Sequence, residues 1–89
     1  MQATVEVPIL NRLGLHARPA AEFVKTASRF QSDVWVKKDD VEVSGKSIMG
    51  VMMLAAECGS QITIRAEGTD AEAALEALSG LVANRFGED

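Results

Sequence analysis

The chain has little chemistry of the metal or thiol kind: one cysteine and one histidine in 89 residues. A lone Cys58 excludes an internal disulfide, and Cys58 with His16 is too small a set for a zinc site, which draws on several Cys, His or carboxylate ligands. No metal and no cofactor is expected. Cys58, just before Gly59-Ser60, reads as a small semi-buried filler rather than a catalytic thiol. Long apolar runs are also missing. The longest nearly uncharged stretch, Ser47 to Ala56, is about half of the ~20 residues a membrane-spanning helix needs, and the N-terminus lacks a basic and apolar signal pattern. A cytoplasmic chain without membrane insertion is expected.

Basic residues are scarce as well, 9 Lys and Arg against 13 Asp and Glu, giving a net charge of −4 and a pI near 4.9. That balance argues against nucleic acid as a partner, since phosphate backbones need clustered cations. The charge is uneven, however. Residues 11–50 hold seven basic and five acidic side chains, whereas residues 51–89 hold two and seven. The half that carries the histidine is mildly cationic, which suits a phosphorylated group or an acidic partner, although an unevenly charged solvated surface explains the same numbers.

What is present is ordinary globular material, 47% apolar and 25% charged. The length predicts a single domain over 1–89, with room for one modest core but not for a core plus a substrate cleft of its own. Such a chain should act on or with something larger.

Periodicity then gives the elements. "TVEVPI" alternates, with Val5 and Val7 on one face, and reads as a strand ending near Pro8. Ala20, Phe23, Val24, Ala27 and Phe30 follow helical spacing and predict an amphipathic helix over Ala17 to Arg29. "DVWVKK" and "VEVS" form a predicted hairpin across Asp39-Asp40, with Trp35 on the face opposite Val34 and Val36. "SIMGVMML" is a short helix capped by Ser47, and "QITIRAE" is a strand with Ile62, Ile64 and Ala66 on one side. Ala71, Ala74, Leu75, Leu78, Leu81 and Val82 trace a final helix, with Thr69 and Glu72 placed as a capping box. Four half-buried strands need a cover and three single-stripe helices supply one. The fold class predicted is α+β, a two-layer sandwich with three helices on one face of a mainly antiparallel four-stranded sheet, in the order βαββαβα.

The stretch "GLHARPAAEF" is the unusual one. Pro19 is tolerated only in a helix's first turn, so the helix begins just before it and His16 falls at the N-cap. The amides of Ala17 and Arg18 are then unpaired donors, and the helix dipole adds partial positive charge at the same point. This charge and Arg18 disfavour a positive imidazole and leave a ring nitrogen lone pair available for attack. A phosphoryl group accepted there would meet the amide of Ala17 and the guanidinium of Arg18, with charge-assisted hydrogen bonds of roughly 1.5–3 kcal/mol each. Gly14 allows close approach of backbone or partner. The plainer alternative, that His16 merely caps the helix, is about equally supported by these residues alone.

"LGLHARPAAEFV" together with "GKSIMGVMML" resembles the HPr family, the histidine-containing phosphocarriers of the bacterial phosphoenolpyruvate-dependent phosphotransferase system. The resemblance spans essentially the whole chain. It implies an open-faced β-sandwich with sheet order 1-4-2-3, and a carrier that is itself no enzyme. His16 would be phosphorylated on Nδ1 by phospho-enzyme I and relieved of the phosphate by enzyme IIA domains, with Arg18 on the phosphoryl group. Ser47 matches a serine that HPr kinase/phosphorylase modifies in many bacteria, whereas from the residues alone it is a helix N-cap. The short helix after it is too apolar for one buried stripe. Gly50, Val51, Leu54 and Ala55 suffice to face the sheet, leaving Ile48, Met49 and Met52 as a docking patch, at least one of them expected to be core filler. Lys25 and Arg29 would add a cationic rim. The carrier is expected to be monomeric. Two alternatives stand beside this reading: a nitrogen-branch phosphocarrier, which the "RFGED" ending resembles, and a small α+β regulatory binding module without phosphorylation.

Overall fold

A computed structural model describes residues 1–88. The elements are β1 (Gln2–Pro8), α1 (Ala17–Ala27), β2 (Asp33–Lys38), β3 (Val41–Ser44), α2 (Ile48–Met53), β4 (Gln61–Glu67) and α3 (Ala71–Ala83). The strands form one antiparallel sheet in the order β1-β4-β2-β3. The helices cover one face of it, so the architecture is the two-layer α+β sandwich that the patterning predicts, in the open-faced form and strand order that the family resemblance implies.

Alternation decides which face is covered. Ile64 stands between Val5 of β1 and Val36 of β2, and Ile62, Ala66 and Val34 extend the same inward layer. Against it pack Ala20, Phe23 and Ala27 of α1, Val51 of α2, and Ala71, Ala74, Leu78 and Val82 of α3, all essentially inaccessible to solvent. The opposite face stays bare. There Trp35 lies half-buried beneath the Arg65 guanidinium, 3.9 Å above the ring centre, and Arg65 also reaches Glu42 at 3.2 Å.

Element ends differ from the sequence expectations in three places. α1 stops at Ala27, with the next carbonyls bonded in tighter turns (Arg29 N–H to Thr26, Phe30 N–H to Ala27), and the Lys46 ammonium donates to the Phe30 carbonyl at 2.8 Å. α2 ends because Ala55 adopts φ +50°, which turns Ala55 outward and Ala56 into the core, reversing the assignment of Ala55 to the sheet-facing side. α3 is not opened by a Thr69–Glu72 capping box. Asp70 is its N-cap, and the Asp70 carboxylate leaves the helix to accept the N–H groups of Gln31 and Ser32, each at 2.9 Å, and the Ser32 hydroxyl.

Candidate functional site

His16 is the N-cap of α1, in extended conformation (φ −74°, ψ −173°), and its carbonyl accepts the Ala20 N–H at 3.0 Å. The amides of exposed Ala17 and Arg18 therefore precede the first intrahelical bond, and buried Pro19 has no amide to leave unpaired. Partial positive charge collects at this end of the helix. The imidazole makes no capping bond to the helix start, which removes the reading of His16 as a simple cap.

The preceding loop is folded tightly enough to fix where the ring emerges. Gly14 N–H donates to the Asn11 carbonyl, and the buried Asn11 Nδ2 returns a bond to the Gly14 carbonyl at 2.7 Å. Gly14 has φ +70°, and a Cβ there would lie 2.5 Å from the Ala56 carbonyl oxygen and 2.9 Å from Glu57 Cα. The close approach that Gly14 permits is thus one of backbone on backbone. Leu15 N–H donates to the same Ala56 carbonyl at 2.8 Å, anchoring the residue before His16 to the segment after α2.

A residue that the sequence did not flag completes the site. After α3 the chain makes a left-handed turn, with φ of 56°, 55° and 74° at Arg85, Phe86 and Gly87, that buries Phe86 and returns Glu88 to His16. Two non-glycine residues in this region cost about 1–2 kcal/mol each, offset by the roughly 1.5–3 kcal/mol of burying a Phe side chain. Glu88 Oε1 lies 2.8 Å from His16 Nε2 and accepts from Asn11 Nδ2 at 2.8 Å, while Oε2 is 3.5 Å from Arg18 Nη1. The expected all-positive cradle therefore contains a carboxylate. Hydrogen bonds from His16, and next from Asn11, hold the Glu88 carboxyl below its usual range, against the opposing effect of burial. The ring is partly open, with 37% of the His16 side chain and 67% of that of Arg18 exposed, against 13% for Glu88.

Beside the ring is a shallow hollow of about 280 Å³ lined by Leu13, Leu15, Met52, Ala55, Ala56 and Glu57. Ile48, Met49 and Met52 are all exposed, so none of the three is core filler, and Leu13 and Met53 join them as exposed apolar side chains that the sequence reading missed. Ser47 Oγ accepts the Gly50 N–H at 3.0 Å, the N-cap role expected of it. Lys25 is not at the site. It is exposed in the last turn of α1, about 12 Å along the axis from Ala17 at 1.5 Å per residue. Cys58 is exposed, not semi-buried. A larger hollow, about 370 Å³, lies on the bare sheet face between Glu6, Lys37, Asp39, Gln61 and Thr63, away from the helix layer that carries His16.

Comparison with known proteins bears on this arrangement directly. Residues 3–84 match the family model described as the PTS HPr component phosphorylation site. The phosphocarrier protein HPr of Neisseria meningitidis is 51% identical over 82 residues, 92% of each chain. The HPr-like protein Crh of Bacillus subtilis is 49% identical over 82 residues, 92% of this chain and 94% of that one. The crystal structure of HPr-C-His from Thermoanaerobacter tengcongensis superposes with a TM-score of 0.94 at 49% identity, covering 98% of both chains. With a histidine at a helix start, an arginine two residues on and this sheet order, the chain belongs to the HPr family of phosphotransferase-system phosphocarriers.

Proposed function

We propose that His16 accepts a phosphoryl group on Nδ1 from phospho-enzyme I and passes it to enzyme IIA domains, the chain being a substrate of both transfers and not a catalyst. The observation that carries this reading is the half-open imidazole at the N-cap of α1, with helix-start amides that precede the first intrahelical bond and an exposed Arg18 beside it. A dianionic group on Nδ1 has donors within the same chain, while the ring stays accessible enough for the group to leave. Because His16, Arg18, Asn11 and Glu88 all come from one chain, a monomer is sufficient for the transfer. The apolar collar of Ile48, Met49 and Met52, with Leu13 and Met53, serves as the docking surface, and no helix among the described residues is long and apolar enough to cross a membrane. The chain acts as one domain over 1–89.

Incubation with phosphoenolpyruvate, enzyme I and Mg²⁺ should place one acid-labile, alkali-stable phosphate on each chain, and His16→Ala should abolish it. Label retained in that variant would overturn the assignment. Ser47 is proposed as a second, regulatory phosphorylation site for an HPr kinase/phosphorylase. The nitrogen-branch reading is favoured only by the "RFGED" ending, and assaying which enzyme IIA takes the phosphate separates the two branches.

A further inference from the structure

We infer that Glu88 is a positioning residue for His16: its carboxylate holds Nε2–H, directs the phosphoryl group to Nδ1 and keeps a proton on Nε2 while the phosphate is carried. The inference deepens the phosphocarrier reading and rests on it. Its basis is geometric. Glu88 Oε1 lies 2.8 Å from Nε2, and the same oxygen is fixed by Asn11 Nδ2, whose amide is completely buried and itself pinned to the Gly14 carbonyl. A carboxylate is an acceptor only, so the neutral ring must present N–H at Nε2, which leaves the lone pair on Nδ1. The two nitrogens open on different edges of the ring, so the edge facing Glu88 is blocked to an incoming phosphoryl group.

The proton on Nε2 matters for both transfers. On the way in, the Nδ1 lone pair forms the N–P bond as the bond from phosphorus to the donor's leaving atom breaks. Nε2 keeps its hydrogen, and the ring gains a positive charge beside the Glu88 carboxylate. On the way out, the N–P bond breaks, its electron pair returns to Nδ1, and a neutral imidazole leaves. Without the Nε2 proton the leaving group would be an imidazolate, and the phosphate would be held. Glu88 thereby supports the transferable form, in the way a carboxylate behind a histidine fixes its tautomer and stabilises its charged state elsewhere. Among the described residues, the titratable groups that the structure sets around the ring are Glu88, Arg18 and, across the hollow, Glu57. Arg18 Nη1 lies 3.5 Å from Glu88 Oε2 with its side chain 67% exposed, so a phosphoryl group on Nδ1 would compete with Glu88 for the guanidinium.

Phosphoramidate phosphorylates histidine without enzyme I, so the test does not depend on the partner. Wild type, Glu88→Gln and Glu88→Ala are phosphorylated with it, the position of the phosphate on the ring is read by ¹⁵N NMR, and loss of phosphate is followed from pH 5 to 9. Wild type should carry the group on Nδ1. Glu88→Gln, which keeps an acceptor but no charge, should keep Nδ1 selectivity while the pH profile of phosphate loss moves about one unit lower, the size expected for removing one adjacent opposite charge. Glu88→Ala should shift the profile and also place a measurable fraction on Nε2, and Glu88→Asp should restore the profile part-way. Unchanged selectivity and unchanged profile in both Gln and Ala variants would overturn the inference. A wild type that takes phosphate from phosphoramidate on Nδ1 but never from enzyme I would instead count against the carrier reading, with Glu88 still judged by its variants.

Discussion

Ser47 shows how one side chain can hold a structural and a regulatory role that mutation can pull apart. Its hydroxyl accepts the Gly50 N–H at the start of α2, and its carbonyl takes the Val51 N–H at 3.0 Å. Ser47→Ala removes the cap and should lower stability by about 1 kcal/mol, measured by urea unfolding, with the rate of phosphoryl transfer from enzyme I left near wild type. Ser47→Asp keeps a capping acceptor, so stability should hold, but adds negative charge beside Ile48 and Met49 on the proposed docking collar. Transfer from enzyme I should slow several-fold. Equal transfer rates for the Ala and Asp variants would argue against regulation by charge at this position.

At the scale of elements, α3 buries a continuous stripe of Ala71, Ala74, Leu75, Leu78 and Val82, and it carries one local weakness. Gly80 lies exposed in its interior, with ordinary helical φ and nothing within 4 Å of where a Cβ would be. Gly80→Ala should therefore raise stability by about 0.5–1 kcal/mol through a less flexible unfolded chain, read as a higher midpoint in thermal or urea unfolding without change in phosphate uptake. The same helix marks the border of what sequence can tell. Ala71, Ala74, Leu78 and Val82 were legible because burial follows a fixed angular repeat, and Val34, Val36, Ile62 and Ile64 because it follows strict alternation. His16 and Arg18 were legible because Pro19 fixes a helix start locally. Glu88 was not, since it meets His16 across 72 residues through a left-handed turn that propensity disfavours at Arg85 and Phe86. The Thr69–Glu72 box misled for a related reason: a local pattern for capping was present, but Asp70 had distant partners that local spacing does not encode.

For the whole molecule, Asp70 ties together two corners that flank the end of the β2–β4 ladder, where Asp33 pairs with Glu67. The α1–β2 turn at Gln31-Ser32 gives two N–H groups and a hydroxyl to one carboxylate at the β4–α3 corner, and Gly68 at φ +150° lies so close to Ser32 that a Cβ there would meet its Oγ at 2.5 Å. The Ser32 hydroxyl bond and then the Gln31 N–H lower the Asp70 carboxyl from 3.8 to about 2. Because the folded-state value is depressed, the stabilisation is fully present above the unfolded value near 3.8 and is lost as pH falls through about 2. The Glu88 carboxyl is also held below its usual range, so the informative quantity is the difference from a variant. Asp70→Asn cannot offer an ionised acceptor to three donors. It should be less stable than wild type at pH 7, and the gap should close between pH 4 and 2, as wild type loses the contribution that the variant never had. Urea midpoints for both proteins across pH 7 to 2 measure this directly. Parallel curves over that window would show that Asp70 holds the two corners by shape alone, with no contribution from its charge.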